Sequence, residues 1–262
     1  MGELTQIRDL TIWKWTRQDW LVFATDNLTG IGKLAFDQFE APPEDVGYFT
    51  ARVALFELLS SGATPQMVID TASAGGSERS SYTERIVSGI REAVQEAGLP
   101  DVFPITGSSE DNILSPITTL SVTAVGQVFQ ADFRPGTVRA GDEVWLVGIP
   151  KSAPHDPVLR SDKTSVSFRQ LLDLLGLNAV REVLPVGSRG AIYEAHEMAA
   201  TAGLRFLHRP QIVPGSREGI ATKSGGPATA VIVGGRLSLD PRWHTICSQI
   251  PCYHLGQLED ES

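Results

Sequence analysis

Three acidic residues beside apolar segments are the most informative chemical feature of this sequence. Asp26 follows the apolar run Leu21–Ala24, Glu57 lies near the end of a helix-like segment, and Glu110 lies in the polar segment Gly107–Asn112. Carboxylates that converge from separate elements form a site for a hard cation such as Mg²⁺, which prefers oxygen ligands and often carries phosphates. We therefore interpret the three residues as candidate Mg²⁺ ligands. The chain has no P-loop, so a different fold must provide this site.

Each of these acids also has a structural interpretation. Glu57 borders the apolar face of its helix, and its carboxylate could pair with Arg52 or Lys33 or lie in solvent. Asp26 could form a local turn with its own backbone. Asp37, in the segment after Asp26, could be a further Mg²⁺ ligand or a solvated loop residue.

Two loops are candidates for contact with phosphate. In the first, Gly30 and Gly32 would let backbone amides approach an anion, and Lys33 would add a positive charge. An ordinary turn is the alternative, because Lys33 is not followed by the Ser or Thr of a P-loop. The second loop is Gly107–Asn112, which offers hydroxyls, carboxylates and an amide that suit a cation or phosphates.

The elements that must position these residues alternate between strands and helices. A strand at Leu21–Ala24 precedes a helix that begins at Pro43 and stops at Gly62, and Gln66–Asp70 is the next strand. Ser81 and Glu84 match a capping box, which predicts the start of a second helix there. Further strands are predicted at Val102–Thr106, Thr118–Val128, Glu143–Val147 and Ala228–Val233, and further helices at Ser165–Leu175 and Ala191–Ala202. This order predicts an α/β (α+β) fold.

The domain boundary is predicted at the proline-rich segment Ile149–Pro157. Prolines at positions 150, 154 and 157 favour a linker or surface loop over a regular element. The length of 262 residues is sufficient for two domains of ordinary size. We therefore expect domains over residues 1–149 and 150–262.

Composition excludes several classes of partner. The net charge of −9 and the pI of about 5.1 argue against general binding to nucleic acid, which needs a basic surface. No apolar run approaches the roughly 18 residues that span a bilayer, and the first residues contain no secretory core. Cys247 and Cys252 are the only cysteines, so no disulfide framework is expected. These features predict a cytoplasmic protein without a membrane or nucleic-acid partner.

The order of these motifs resembles a known family. The segment Thr25–Asn27 comes first, and the end of the following helix with its turn reads Glu57-Leu-Leu-Ser-Ser-Gly-Ala-Thr-Pro65. The acidic loop Gly107–Asn112 and the strand-like segment Arg139–Gly148 come after it. This pattern is similar to the amino-terminal domain shared by aminoimidazole ribonucleotide synthetase and thiamine-monophosphate kinase, over about residues 20–148. Two features depart from it. Glu57 and Glu110 stand where aspartates are usual, and Arg189 stands where the kinases carry an acidic Ser-Asp-Gly turn.

The resemblance implies a fold and a site. The amino-terminal domains would pair as a homodimeric β-barrel flanked by helices, and the carboxy-terminal domain would be an α/β sandwich. ATP would be the co-substrate, with Mg²⁺ held by Asp26, Glu57 and Glu110. Eight residues of the two loops would approach its phosphates: Asn27, Gly30, Gly32, Lys33, Gly107, Ser108, Ser109 and Asn112. No residue stands out as a catalytic base, and phosphoryl transfer depends mainly on positioning and charge neutralisation.

Within this superfamily, the short chain is most similar to the small-molecule kinases. It resembles in particular the α-ribazole kinases of cobamide salvage, which implies a riboside or vitamin precursor as substrate. One alternative is an ATP-dependent synthetase or dehydratase of the purine or hydrogenase-maturation type. Another is a nucleotide-binding regulator without activity, which the basic residue at position 189 keeps open.

Overall fold

The chain forms two compact units, Met1–Asp132 and Phe133–Ser262. The computed structural model describes residues 2–74, 79–110, 112–209 and 219–261. The division falls before the proline-rich segment, after residue 132 rather than after residue 149, because the strand Glu143–Val147 hydrogen-bonds within the sheet of the second unit. Five α-helices and two large sheets within the described ranges confirm the mixed α/β class.

The first unit contains eight strands and two α-helices within the described residues. In chain order they are β1 (Glu3–Ile7), β2 (Leu10–Lys14), β3 (Asp19–Thr29), β4 (Ile31–Gly32), β5 (Phe39–Glu40), α1 (Pro43–Ser60), β6 (Thr64–Ser73), α2 (Arg79–Glu96), β7 (Ile105–Ser109) and β8 (Thr119–Phe129). Six of the strands form one sheet in the order β1-β2-β3-β8-β6-β7. The pair β6 and β7 is parallel and the other neighbours in this sheet are antiparallel.

Helices α1 and α2 cover one face of this sheet. Helix α1 begins at Pro43 with acidic residues in its first turn, where the backbone amides lack helical partners, and Gly62 beyond its end has a left-handed φ of 87°. The two helices cross closely at Gly47 and Gly89. A Cβ at Gly47 would collide with the backbone of Ile86, so this contact requires glycine.

Several predicted boundaries need correction. Asp26 lies inside β3 instead of beyond its end, because β3 pairs with β8 as far as Thr29. Helix α2 begins at Arg79, so Ser81 lies inside it and does not act as its cap. The segment Gly107–Ser109, predicted as loop, is the second half of β7, because it pairs with β6.

The large sheet of the first unit is open. Strands β1 and β7 are its two edges, and the described residues of the single chain form no closed barrel. Its inner face carries fully buried residues such as Val22, Val68 and Val122. Its outer face includes exposed apolar side chains, among them Trp13 and Ile69.

The second unit has one five-stranded sheet with helices on both faces. Its elements are β9 (Glu143–Val147), α3 (Phe168–Leu175), β10 (Val180–Pro185), α4 (Ala191–Thr201), β11 (Leu204–His208), β12 (Val231–Gly235), α5 (Pro241–Gln249) and β13 (Cys252–Asp260), and the strand order is β10-β12-β9-β13-β11. Met198 of α4 packs in the same core as Leu146 of β9. On the opposite face, Trp243 of α5 contacts Trp145 of β9 with ring centroids 5.4 Å apart.

The described helices include none that is both long enough and apolar enough to cross a bilayer. Cys247 and Cys252 are both free thiols.

Candidate functional site

The first loop, between β3 and α1, is held in place by Asp37. Its carboxylate accepts hydrogen bonds from the backbone N–H of Leu34 at 2.7 Å and from that of Thr118 at 2.8 Å. The hydroxyl of Thr118 donates another bond at 2.7 Å. These bonds tie the loop to the residue that precedes β8. Asp37 therefore positions the loop, and its oxygens are already engaged by structural donors.

Gly32 lies against the same cluster of polar groups. A Cβ at this position would lie 2.5 Å from the Tyr82 hydroxyl and 2.6 Å from Asp37 Oδ2, and it would also collide with the Thr118 hydroxyl. The Tyr82 hydroxyl lies 3.1 Å from that of Thr118 and accepts a hydrogen bond from the Lys33 N–H at 3.0 Å. Close packing in the loop thus explains this glycine without any ligand.

Lys33 combines a fixed backbone with a mobile charge. Its backbone N–H is used by Tyr82, so it is not available to a phosphate. Its side chain is half-exposed, and its ammonium lies 3.9 Å from the carboxylate of the exposed Glu40. An exposed pair of this kind contributes little to stability, so the ammonium can turn toward an anion at small cost.

Asp26 lies on the inner face of the sheet. It is paired with Val122 of β8, which is paired in turn with Asp70 of β6, so the three residues form one row across the strands. Val122 is fully buried, and this row therefore faces the helices. Burial raises the pKa of Asp26 to about 6, although a backbone hydrogen bond at Asn27 acts in the other direction.

Asn27 lies on the other face of β3. Successive side chains of a strand point to opposite faces, so Asn27 is directed away from the side that Asp26 occupies. Its amide donates hydrogen bonds to the Ser121 hydroxyl at 2.8 Å and to the Leu120 carbonyl at 3.3 Å. The expectation that Asn27 approaches a phosphate stays a prediction.

The other two candidate Mg²⁺ ligands, Glu57 and Glu110, lie on different elements of the first unit. Glu57 is half-buried in the last two turns of α1, which packs against β3 and β8. Glu110 follows β7, and its carboxylate accepts hydrogen bonds from the N–H groups of Asn112 at 2.6 Å and Ile113 at 3.2 Å. It therefore stabilises its own turn and occupies the N–H of Asn112. Asp111, in the same predicted loop, lies outside the described residues.

The spacing of the sheet separates Asp26 from Glu110. Glu110 follows the row of Leu28, and β7 lies three strands from β3. With about 3.3 Å per residue and about 4.8 Å between strands, their Cα atoms are roughly 17 Å apart. Within the ranges that the structure describes, no group of three or more His, Cys, Asp or Glu residues is arranged to hold a metal ion. The role of Asp26, Glu57 and Glu110 as Mg²⁺ ligands stays a prediction.

A pocket of about 180 Å³ lies beside β7, and Asp70 lines it. Asp70 is only 5% exposed, and burial raises the pKa of its carboxyl. A Cβ at Gly107 would lie 2.5 Å from Asp70 Cγ, so the carboxylate lies directly over this glycine. The remaining lining residues are Thr83, Val87, Ile105, Thr106, Ser108 and Ser109.

Asp70 was not among the site residues predicted from the sequence, although the sequence carries a signal for it. In the alternating strand β6, Val68 and Ala72 are buried, whereas Ile69 and Thr71 are exposed. Asp70 lies on the same face of the strand as these buried residues. An acid at an inward position of a strand is costly unless it binds a partner, and this marks it as a candidate site residue.

In the second unit, the segment 187–190 leads into α4. Gly187 donates its N–H to the Glu194 carboxylate at 3.2 Å, and the Arg189 guanidinium lies 4.6 Å from the centre of the Tyr193 ring. The helix has no side-chain cap at Gly190. Arg189, which stands where an acid was expected, therefore lies beside an aromatic residue at the start of this helix.

The first unit is similar to one known class of protein domain. The family model described as AIR synthase related protein, N-terminal domain, matches residues 8–128. These residues are therefore similar to the N-terminal domain of AIR synthase related proteins, and the match lies within the first unit. No curated protein sequence matches this chain.

Solved structures show the same fold over nearly the whole chain. Thiamine-monophosphate kinase from Stenotrophomonas maltophilia is 18% identical, with a TM-score of 0.64, and the match covers 100% of this chain and 89% of that one. Thiamine monophosphate kinase from Aquifex aeolicus is 16% identical, with a TM-score of 0.62 and coverage of 92% and 85%. PurL from T. maritima, complexed with ATP, is 14% identical, with a TM-score of 0.64 and coverage of 95% and 42%.

Proposed function

We propose that this protein is an Mg²⁺- and ATP-dependent kinase of a small molecule that carries a riboside-like hydroxyl. The supporting observation is the fold, because the match to the thiamine-monophosphate kinases extends over 92% and 100% of this chain and covers 85% and 89% of theirs. A structure of this type has been solved as AaThiL complexed with AMPPCP and TMP. The preferred acceptor is α-ribazole, which would yield α-ribazole 5′-phosphate.

The donor groups of the first unit fit an Mg²⁺–nucleotide complex. Apart from a backbone hydrogen bond at Asn27, the half-buried carboxylate of Asp26 has no hydrogen-bonding partner in the described residues, so it can accept a cation. Asp26, Glu57 and Glu110 would contact the Mg²⁺–ATP complex, in which the cation would neutralise charge on the phosphates. Because the sheet separates Asp26 from Glu110, we propose that these acids contact different parts of the complex.

The loops would position the phosphates. The ammonium of Lys33 can reach an anion, and the first loop around Gly30 and Gly32 is fixed by Asp37. From the second segment, Gly107, Ser108, Ser109 and Asn112 would approach the phosphates by backbone and hydroxyl groups. Such preorganised donors lower the barrier of phosphoryl transfer without a strong base.

We also propose that the active protein is a homodimer. The outer face of the open sheet carries apolar side chains at Trp13 (41% exposed), Met67 (37%), Ile69 (38%) and Phe129 (58%). Exposed apolar side chains gathered on one face of a sheet are typical of protein interfaces. Packing the outer faces of two copies together would bury it and complete a barrel. Sedimentation analysis should show a dimer, and the variant Ile69→Lys should sediment as a monomer.

Product analysis separates the proposed function from its alternatives. The protein is incubated with Mg²⁺, ATP and a panel of ribosides and vitamin precursors, and products are identified by mass. A kinase yields ADP and a phosphorylated acceptor. A synthetase, which the similarity to PurL favours as second candidate, yields ADP and free phosphate. Binding of ATP without turnover of any acceptor would indicate the non-catalytic regulator.

A further inference from the structure

Asp70 is a buried acid without a structural role. It lies on the inner face of β6 between the buried residues Val68 and Ala72, and only 5% of it is exposed. In the described parts of the chain, the only hydrogen bond to its carboxylate comes from its own backbone. A largely buried carboxylate that is bonded only by its own backbone costs stability, and a ligand that donates hydrogen bonds to it would offset this cost.

The surroundings of Asp70 form a built pocket. Gly107 has no side chain to cover the carboxylate, and a Cβ there would lie 2.5 Å from Asp70 Oδ1. Thr83 of α2 and Ser109 of β7 line the pocket and carry hydroxyls, and Ser109 is on the same face of β7 as Gly107. Thr106 and Ser108 also line the pocket, but strand alternation directs their side chains to the opposite face.

The composition of the pocket selects among ligand classes. A bare phosphate inside the pocket is disfavoured, because the Asp70 carboxylate would repel it, so the phosphate contacts proposed for Gly107, Ser108 and Ser109 would lie outside the pocket. A divalent cation needs several hard ligands, and the described residues supply no second acid in the lining. The volume of about 180 Å³ is below the range of roughly 300–1,000 Å³ that holds a whole drug-sized ligand, so the pocket suits a fragment of one. A neutral polyhydroxyl group fits the hydroxyls, the carboxylate and the size.

We propose that this pocket binds the sugar of the phosphoryl acceptor, with Asp70 accepting hydrogen bonds from its vicinal hydroxyls. The proposal rests on the kinase function proposed above and adds the substrate class, a riboside with a free 2′,3′-diol. Ser109 ends β7 and leads into Glu110. A sugar in the pocket therefore places its remaining hydroxyl beside the segment that is proposed to approach the phosphates.

The test measures binding of α-ribazole and its 2′,3′-dideoxy analogue to the full chain by calorimetry, without ATP. Asp70→Asn should raise the Kd for the riboside about tenfold or more, because a charged acceptor is lost, and should leave the Kd for the dideoxy analogue unchanged. Thr83→Val, which removes a hydroxyl at nearly constant volume, should act in the same direction. The control Asp101→Asn changes the same functional group at an exposed turn and should bind as the wild type does.

Each outcome decides for or against the pocket. The proposal falls if the wild type does not bind the riboside, or if Asp70→Asn and Thr83→Val both bind it normally. It also falls if Asp70→Asn weakens Mg²⁺–ATP binding as much as riboside binding, because Asp70 would then be a cation ligand. If the riboside binds in an Asp70-dependent manner but receives no phosphoryl group from ATP, the sugar-binding role of the pocket is supported and the kinase function is refuted. If phosphoryl transfer occurs and Asp70→Asn leaves the riboside KM unchanged, the kinase function stands and the pocket fails.

Discussion

Replacement of Asp26 by Asn should stabilise the protein and impair nucleotide binding. Burial raises the pKa of this carboxyl from 3.8 to about 6, which means that folding favours its protonated form. Above pH 7, the folded state therefore holds an ionised group that the unfolded state solvates better. A rise in pKa from 3.8 to about 6 corresponds to at most about 3 kcal/mol, and partial exposure reduces the expected gain to about 1–2 kcal/mol.

The sign of the pH dependence follows from this shift. A carboxyl with a raised folded-state pKa stabilises the fold below the unfolded value near 3.8, and this contribution is lost as the pH rises through about 6. The difference in unfolding free energy between Asp26→Asn and the wild type should therefore be close to zero below pH 4 and reach its full value above pH 7. The test uses only the difference in unfolding free energy between the variant and the wild type, because other groups titrate in the same pH range.

The assay is urea unfolding of both proteins at pH 4 and at pH 8, together with calorimetric titration of Mg²⁺–ATP. Asp37→Asn is the matched control, because Asp37 accepts three hydrogen bonds, and its replacement should lower stability at pH 8. If Asp26→Asn is less stable than the wild type at pH 8, the carboxylate has a stabilising partner and the reasoning is wrong. If the variant binds Mg²⁺–ATP normally, Asp26 is not a ligand of the complex.

Three further predictions concern the loops and the other acids. Glu57→Gln and Glu110→Gln should each raise the Mg²⁺ concentration needed for half-maximal activity, and full activity of both at limiting Mg²⁺ would remove them from the site. Lys33→Ala should raise the KM for ATP several-fold by removing a charge near the phosphates, whereas unchanged kinetics would exclude that contact. Gly32→Ala should lower the free energy of unfolding by about 1–3 kcal/mol, because the added methyl collides with the Tyr82 hydroxyl, and denaturant titration would refute this by giving a wild-type midpoint.

The sequence predicted best those elements whose limits are set by local chemistry. Helix α1 runs from Pro43 to Ser60, as its proline start and its glycine stop at Gly62 indicate. Strand β9 was predicted with its observed limits, Glu143–Val147. In these segments the apolar pattern and the turn residues agree, so little depends on contacts with distant parts of the chain.

Other elements depend on partners that the local sequence does not reveal. The segment Gly107–Ser109 consists of Gly and Ser residues, which favour loops, yet it is a strand because β6 provides a parallel partner for it. Asp26 was placed beyond a strand because polar residues follow Ala24, but pairing with β8 extends β3 to Thr29. Tertiary hydrogen bonding thus overrides local preference at the very residues that were chosen as site candidates.

The extension of these strands determines which candidate residues can share a site. Within a loop, neighbouring residues can approach one ligand together, but within a strand, alternate residues face opposite sides. Asp26 and Asn27 are thereby separated, whereas Asp26 and Asp70 are brought into one row that faces the helices. Burial raises the pKa of both acids, so each one costs stability in the free chain. Two such costs on one face of one sheet are best explained by ligands that bind there, with a cation offsetting the charge of Asp26 and sugar hydroxyls satisfying Asp70.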